Sequence, residues 1–231
     1  MKFPDPLLEA TFLERANRFA CWVEREGRRQ NVHLPNSGRL RELLIPGASV
    51  LVAEAGAPHR KTKGDMLLVV QGEKLVSVDA RLPGHLVDEA LREGDLAPFR
   101  GYPRIQREVR FGESRLDFLL GGEGGACFLE VKSVTLVREG RALFPDAPTL
   151  RGRRHLEALM EAGRYSYAAA VVFVVQREDA RAFSPNDGTD PAFGSALREA
   201  WGRGVGVYAY GCQVSRKEIR IARELPVLLH K

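Results

Sequence analysis

Asp117 in SRLDFLL, and Glu130 and Lys132 in FLEVKSVTL, are charged residues set into two otherwise apolar stretches that flank the turn GGEGG. Side chains alternate along a strand, so Glu130 and Lys132 share one face while Leu129 and Val131 share the other. If opposed residue numbers sum to 247, Asp117 faces Glu130 directly, with Cβ atoms ~5 Å apart. A symmetrical five-residue loop gives 246 instead and separates them, so this register demands a four-residue loop or a bulge. Two carboxylates that close repel each other unless a cation lies between them. Mg²⁺ or Mn²⁺, a hard ion that takes oxygen ligands and keeps several waters, is the natural occupant. A lysine beside it can orient or deprotonate an attacking water, or neutralise charge developing on phosphate. The chemistry these residue types point to is phosphodiester hydrolysis. Taken alone, the three residues are equally an ion pair on a solvated face, because short motifs recur without function.

The elements that must position them follow from the hydrophobic pattern. TFLERANRFACWVERE alternates, VHLPNSGRL ends in a polar turn, and ASVLVAEAG and DMLLVVQGEKLVSVDA read as strands with loops between them. Several short strands within residues 1–81 predict a small β-barrel, of which the oligonucleotide-binding fold is one common kind. From residue 82 to 231 the pattern becomes a mixed α/β domain. GHLVDEALREG, with apolar residues at Leu86, Val87, Ala90 and Leu91, predicts a short helix ended by glycine. Strands Ile105–Phe111, Ser114–Leu120 and Cys127–Leu136 make an antiparallel meander. A helix over Thr149–Gly163 with Thr149 as N-cap leads to the wholly apolar strand 168–176, a parallel crossover buried on both faces. A helix near Pro191–Gly202 and a strand Val205–Val214 complete the domain.

Composition excludes several classes. The longest apolar run, AAAVVFVV, is far short of the ~20 residues of a membrane span. MKFPDPLLEA carries prolines and acids where a secretory signal would be apolar, so a cytoplasmic protein is expected. Cys21, Cys127 and Cys212 are far apart, with no CxxC pair, and the histidines show no metal-binding spacing, so a metal must rest on carboxylates. The net charge of +5 is spread along the chain and names no partner.

Asp117 followed by Glu130-Val131-Lys132 resembles the PD-(D/E)xK nuclease signature, and the order of elements is similar to that fold. The resemblance implies a further acid from the helix before the meander. Glu89 in LVDEAL occupies that place, with Asp88 its neighbour, and Gln176 ends the buried strand near the same edge. More specifically, LPNSGRL, LPGHLVDEAL, SRLDFLL, FLEVKSVTL, FPDAPTLRGRRHLEAL and VVQRED resemble the sugar fermentation stimulation protein family over almost the whole chain. PNSG stands where members commonly carry PNTG. The resemblance implies an oligonucleotide-binding-type barrel followed by a nuclease-like domain, nonspecific binding of DNA, with RNA as a further partner, and a regulatory link to sugar metabolism. On it, Asp117, Glu130 and Glu89 would hold Mg²⁺ or Mn²⁺ with Lys132 as a catalytic partner. The alternative is a DNA-binding regulator without turnover.

Candidate nucleic-acid contacts are Asn36 and Arg39 in LPNSGRL, Arg60, Lys61 and Lys63 in APHRKTKGD, and the cluster Arg151, Arg153, Arg154 and His155. That cluster opens a helix, where positive charge opposes the macrodipole and phosphate would compensate it. The alternatives are a soluble basic loop in the first case and, in the second, a solvated turn with His155 packed on the sheet. Phe12, Phe19 and Trp22 are aromatic in a barrel, where most such residues are core.

Overall fold

The alternating stretch from Thr11 to Arg25 is a hairpin rather than one strand, because Asn17 accepts the Phe19 N–H on its Oδ1 at 2.8 Å and turns the chain. The computed structural model describes residues 1–54 and 61–230; Arg60 lies outside the described residues. Strands β1 (Leu7–Asn17) and β2 (Ala20–Arg25) meet at a two-residue connection, Arg18-Phe19, and two register shifts in β1, between Phe12 and Glu14 and between Arg15 and Asn17, adjust the pairing. They continue into β3 (Arg28–His33), β4 (Ser49–Glu54), β5 (Gly64–Gln71) and β6 (Lys74–Ser77). The order β3-β2-β1-β4-β5-β6 closes on itself where His33 pairs with Asp65, giving an oligonucleotide-binding-type barrel. Phe12, Val23, Val32, Val50, Met66 and Val76 fill it. Gly64 permits the closure: a Cβ there would lie 2.3 Å from the Ala53 carbonyl oxygen.

Helix α1 (Leu82–Glu93) follows, ended by Gly94 in the left-handed region, and then the meander β7 (Arg104–Phe111), β8 (Ser114–Gly122) and β9 (Gly125–Val134). After β9 come two short strands, β10 (Val137–Arg138) and β11 (Arg141–Phe144), then α2 (Leu150–Arg164), β12 (Ala168–Val175), β13 (Ala182–Pro185), α3 (Pro191–Gly202), β14 (Gly206–Val214) and β15 (Ile219–Leu225). The main sheet runs β15-β14-β12-β9-β8-β7, and β12 is parallel to both neighbours, as the strand–helix–strand pattern requires. Val172 and Val174 of β12 face a cluster with α1, while Val171, Phe173 and Val175 face the helices α2 and α3. That two-sided burial is why the strand reads as unbroken apolar sequence.

Thr149 caps α2, its Oγ1 accepting the Gly152 N–H at 3.0 Å. Asp190 caps α3 through Phe193 N–H at 3.0 Å and holds the Thr149 N–H at 2.8 Å, so one carboxylate fixes the start of both helices. The barrel shares an apolar cluster with the sheet domain through Leu51, Leu67 and Leu68, and polar bridges flank the cleft between them. Gln176 accepts the Ser77 hydroxyl at 3.0 Å and donates to Ser133 Oγ at 2.9 Å, so it bridges the domains. Asp146 Oδ2 accepts the backbone N–H groups of Arg39 at 2.7 Å and Leu40 at 3.2 Å. The first three residues do not join the barrel; Lys2 bridges Glu218, and Phe3 donates to the Lys217 carbonyl at 2.7 Å and packs in the sheet domain's core.

Candidate active site

Strands β8 and β9 pair with Phe118 opposite Leu129 and Gly122 opposite Gly125, the register in which Asp117 falls opposite Glu130. The connection is shorter than the four-residue loop expected, Glu123-Gly124 alone, and keeps the same parity. The ladder stops at Phe118. In the next position Asp117 accepts the Val131 N–H on Oδ2 at 2.7 Å, so a carboxylate takes the place of a strand carbonyl. The two acids are thereby drawn together on the sheet face that α2 covers.

Glu130 is 3% exposed. Its Oε1 accepts from the Lys132 ammonium at 2.6 Å and from Nδ1 of His155. Arg151 Nε donates to His155 Nε2 at 3.4 Å, which assigns the proton of a neutral ring to Nδ1 and lets it donate to Glu130. Glu130 Oε2 is buried and has no hydrogen-bond partner among the described residues. Burial works to raise the Glu130 carboxyl, but the Lys132 charge and the His155 hydrogen bond outweigh it and hold the group below its ordinary value. Asp117 goes the other way: burial first, then the charge of Glu130, push it up to about 6, against the pull of the Val131 N–H and Lys132. One carboxylate is thus held ionised while its neighbour is strained toward neutrality, the arrangement that an added cation relieves.

A stability consequence follows with a definite sign. The folded-state pKa of Asp117 lies above its ordinary value of 3.8, so the native protein binds more protons than the unfolded chain between these values. The contribution of Asp117 to the stability of the metal-free protein falls as pH rises from about 4 to about 6, and its penalty is complete above that window. Asp117→Asn, whose carbonyl still accepts the Val131 N–H, is expected to stabilise the metal-free protein by about 2 kcal/mol at pH 7.5 and by almost nothing at pH 4. Urea unfolding in EDTA at the two pH values measures it; an equal effect at both would count against the coupled pair.

The other candidates divide. His155 shares the buried face of α2 with Gly152, Leu156 and Leu159, and joins Glu130 and Lys132 rather than a solvated basic cluster. Arg151 is exposed and touches it, whereas Arg153 and Arg154 make no contact with this group. Glu89 is not brought to the pair. Helix α1 packs Leu86, Val87 and Ala90 with Phe118 and Leu129 on the opposite face of the sheet, and Glu89 instead receives the Met1 amine at 3.1 Å. Asp88 pairs with Arg92 at 3.1 Å. Among the described residues no group of three or more His, Cys, Asp and Glu side chains is arranged to hold a metal, and Glu89 does not stand with Asp117 and Glu130 as expected.

Beside the end of β9 the two domains enclose a cleft of about 240 Å³, walled by residues 36–38 from the barrel and by 133–136 and 143–149 from the sheet domain. Its far wall ends at Thr149, the cap of the helix that carries Arg151 and His155. Asn36 is buried in that wall, donating to the Val78 carbonyl at 3.0 Å and accepting the Gly38 N–H at 2.8 Å. Its amide thereby shapes the loop that forms this wall of the cleft. Arg39 is exposed at the edge of an adjoining groove. Lys61 and Lys63 are exposed on the barrel and do not line the cleft. Phe12 is barrel core and Trp22 lies under the Arg29 guanidinium, but Phe19 is exposed.

Comparison with known proteins matches this organisation. Residues 13–78 match the family profile described as the SfsA N-terminal OB domain, and residues 81–218 the sugar fermentation stimulation protein RE domain. The sugar fermentation stimulation protein homolog of Moorella thermoacetica is 49% identical over 99% of this chain and 100% of its own length. That of Caldanaerobacter subterraneus is 42% identical over 99% of this chain and 100% of its own. The structure of Pyrococcus furiosus SfsA in complex with Ca²⁺ superposes with a TM-score of 0.90 at 33% identity, covering 99% of this chain and 98% of that one. With both domain profiles met in order and the likeness running from end to end, the chain belongs to the sugar fermentation stimulation protein family.

Proposed function

We propose that this protein binds nucleic acid, DNA above all, and hydrolyses phosphodiester bonds with Mg²⁺ or Mn²⁺ held by Asp117 and Glu130. The observation that carries this reading is the bare, buried Oε2 of Glu130 beside a second carboxylate whose ionisation is opposed. A buried carboxylate oxygen without a donor is costly, and an oxygen-seeking cation is the group that would satisfy it. The donor set fits, since Mg²⁺ is commonly held by one or two carboxylates and completes its shell with water. That the Pyrococcus furiosus relative was solved with Ca²⁺ supports a divalent cation here. When bound, such an ion supplies charge neutralisation and a more acidic water.

The chain's own residues do the rest. Lys132 meets charge developing on the non-bridging phosphate oxygens and orients the attacking water. His155 donates to Glu130 and so fixes the carboxylate's orientation, and Arg151 fixes the ring of His155. The N-terminal turn of α2 adds its positive end at the mouth of the cleft. A second reading, nucleic-acid binding without turnover in a regulatory role, is favoured by one observation: Lys132 and His155 already satisfy Glu130 Oε1. Incubation of labelled single- and double-stranded DNA and RNA with Mg²⁺, Mn²⁺ or EDTA separates the two. Cleavage that requires the ion supports the nuclease; tight binding with no cleavage under any ion supports the regulator. Ca²⁺ or Mg²⁺ is also expected to raise the melting temperature more at pH 8 than at pH 5, because both carboxylates must be ionised to bind it. A shift independent of pH would argue against these ligands.

A further inference from the structure

Phe19 is 48% exposed at the tip of the β1–β2 hairpin. A single exposed aromatic residue normally needs no explanation, but the backbone of this one is held on both sides and its ring is paired with a cation, Arg18, that lines the cleft. The Phe19 N–H is held by Asn17 and its carbonyl accepts the Leu34 N–H at 2.9 Å. The Arg15 guanidinium ties the tip to the cleft wall, donating to the carbonyls of Gly38 at 2.8 Å, Arg39 at 3.2 Å, Asn36 at 3.3 Å and Arg18 at 3.4 Å. Arg18 lies over the Phe19 ring, 5.4 Å from its centroid, and lines the cleft, and among the described residues no carboxylate pairs with it. On the other side, the cleft runs into the groove edged by Arg39, Arg41 and Arg138, sharing Leu136, Asp146 and Pro148 with it.

We infer that the substrate is a single, unpaired nucleic-acid strand that passes between the barrel and the sheet domain, with one base stacked on Phe19 and its backbone following Arg39, Arg41 and Arg138. An aromatic platform beside an arginine track is the pairing that single-strand sites use, since every base has a face to stack and every nucleotide a phosphate. The size of the cleft argues against a duplex between its walls: at about 240 Å³ it is no larger than a pocket for one small molecule. Asp146 and Gln176 hold its two walls together, so admitting a double helix would mean breaking both bridges. This rests on the nucleic-acid reading above and not on turnover.

Binding of the full chain to a labelled oligothymidylate and to a blunt duplex of equal length, by fluorescence anisotropy in EDTA, tests it apart from cleavage. The single strand is expected to bind at least about tenfold more tightly, and Phe19→Ala to lose about tenfold of that affinity while leaving the weak duplex binding unchanged. Phe19→Trp should restore the affinity. Equal affinity for the two forms, or single-strand binding indifferent to Phe19→Ala, overturns the inference. Strand binding that depends on Phe19 in a protein that never cleaves would sustain it while the nuclease reading fails; cleavage that survives with no dependence on Phe19 would do the reverse.

Discussion

Lys132→Ala is expected to slow ion-dependent cleavage by about a thousandfold while leaving ion binding and strand binding in place. Removal of one preorganised electrostatic partner of a transition state costs roughly 10²–10³ in rate, and Lys132 is only 11% exposed in its side chain, where charge is poorly screened. Lys132→Arg is not expected to rescue, because the planar fork does not occupy the position of a compact ammonium. Glu130→Gln should cost at least as much in rate and should fail differently. It removes the charge that holds Lys132 and the bare oxygen, so the ion-induced rise in melting temperature is lost as well. Single-turnover cleavage of end-labelled DNA, with thermal shifts in Mn²⁺ and EDTA on the same proteins, measures both. Cleavage untouched by either substitution would remove this site from consideration, whatever else the protein cuts.

Asp146→Ala is expected to destabilise the protein by about 3 kcal/mol and to weaken strand binding with it. Its carboxylate receives two backbone N–H groups of the barrel loop, and charge-assisted bonds of this kind contribute roughly 1.5–3 kcal/mol each. Arg15 and Asn36 shape the loop from the barrel side, and Asp146 ties it to the sheet domain next to Leu40, a non-glycine residue held at φ 50°. Gly38→Ala offers an independent check on the same contact, because a Cβ there would lie 2.7 Å from Asp146 Oδ2. Urea unfolding, together with protease sensitivity of residues 36–40, reads the result. Unchanged stability in both variants would mean that the two domains are held without this bridge.

The β8–β9 register was legible only as a condition: shared chemistry at Asp117 and Glu130 required a sum of 247, but parity admits every odd sum, and the glycine-rich turn did not reveal that Glu123-Gly124 alone connects the strands. The helix α2, its cap and the two-sided strand β12 were legible because their periodicity is strong and local. Glu89 was not, because a helix that precedes a sheet can pack on either face and nothing in LVDEAL says which. The burial of His155 was legible as the alternative to a basic cluster, since Gly152, His155, Leu156 and Leu159 mark one face of the helix; its bond to Glu130 was not, because nothing local sets α2 over β9. The structural part played by Asn36 was not legible, because the sequence shows an amide but not the Val78 carbonyl brought to it from 42 residues away. The two-residue strand β10 and the charged strand β15 carry too little alternation to be read. Their partners, rather than their composition, make them strands.

The pairing of residues 1–3 with Lys217–Ile219 bears on the order in which the molecule can be made. The core of the barrel draws only on residues 10–78 and can close while the rest of the chain is still being synthesised. Lys2 and Phe3 must wait for partners more than two hundred residues later. Lys2 and Phe3 therefore settle only when the sheet domain does, and residues on both sides of the barrel in sequence belong to that domain.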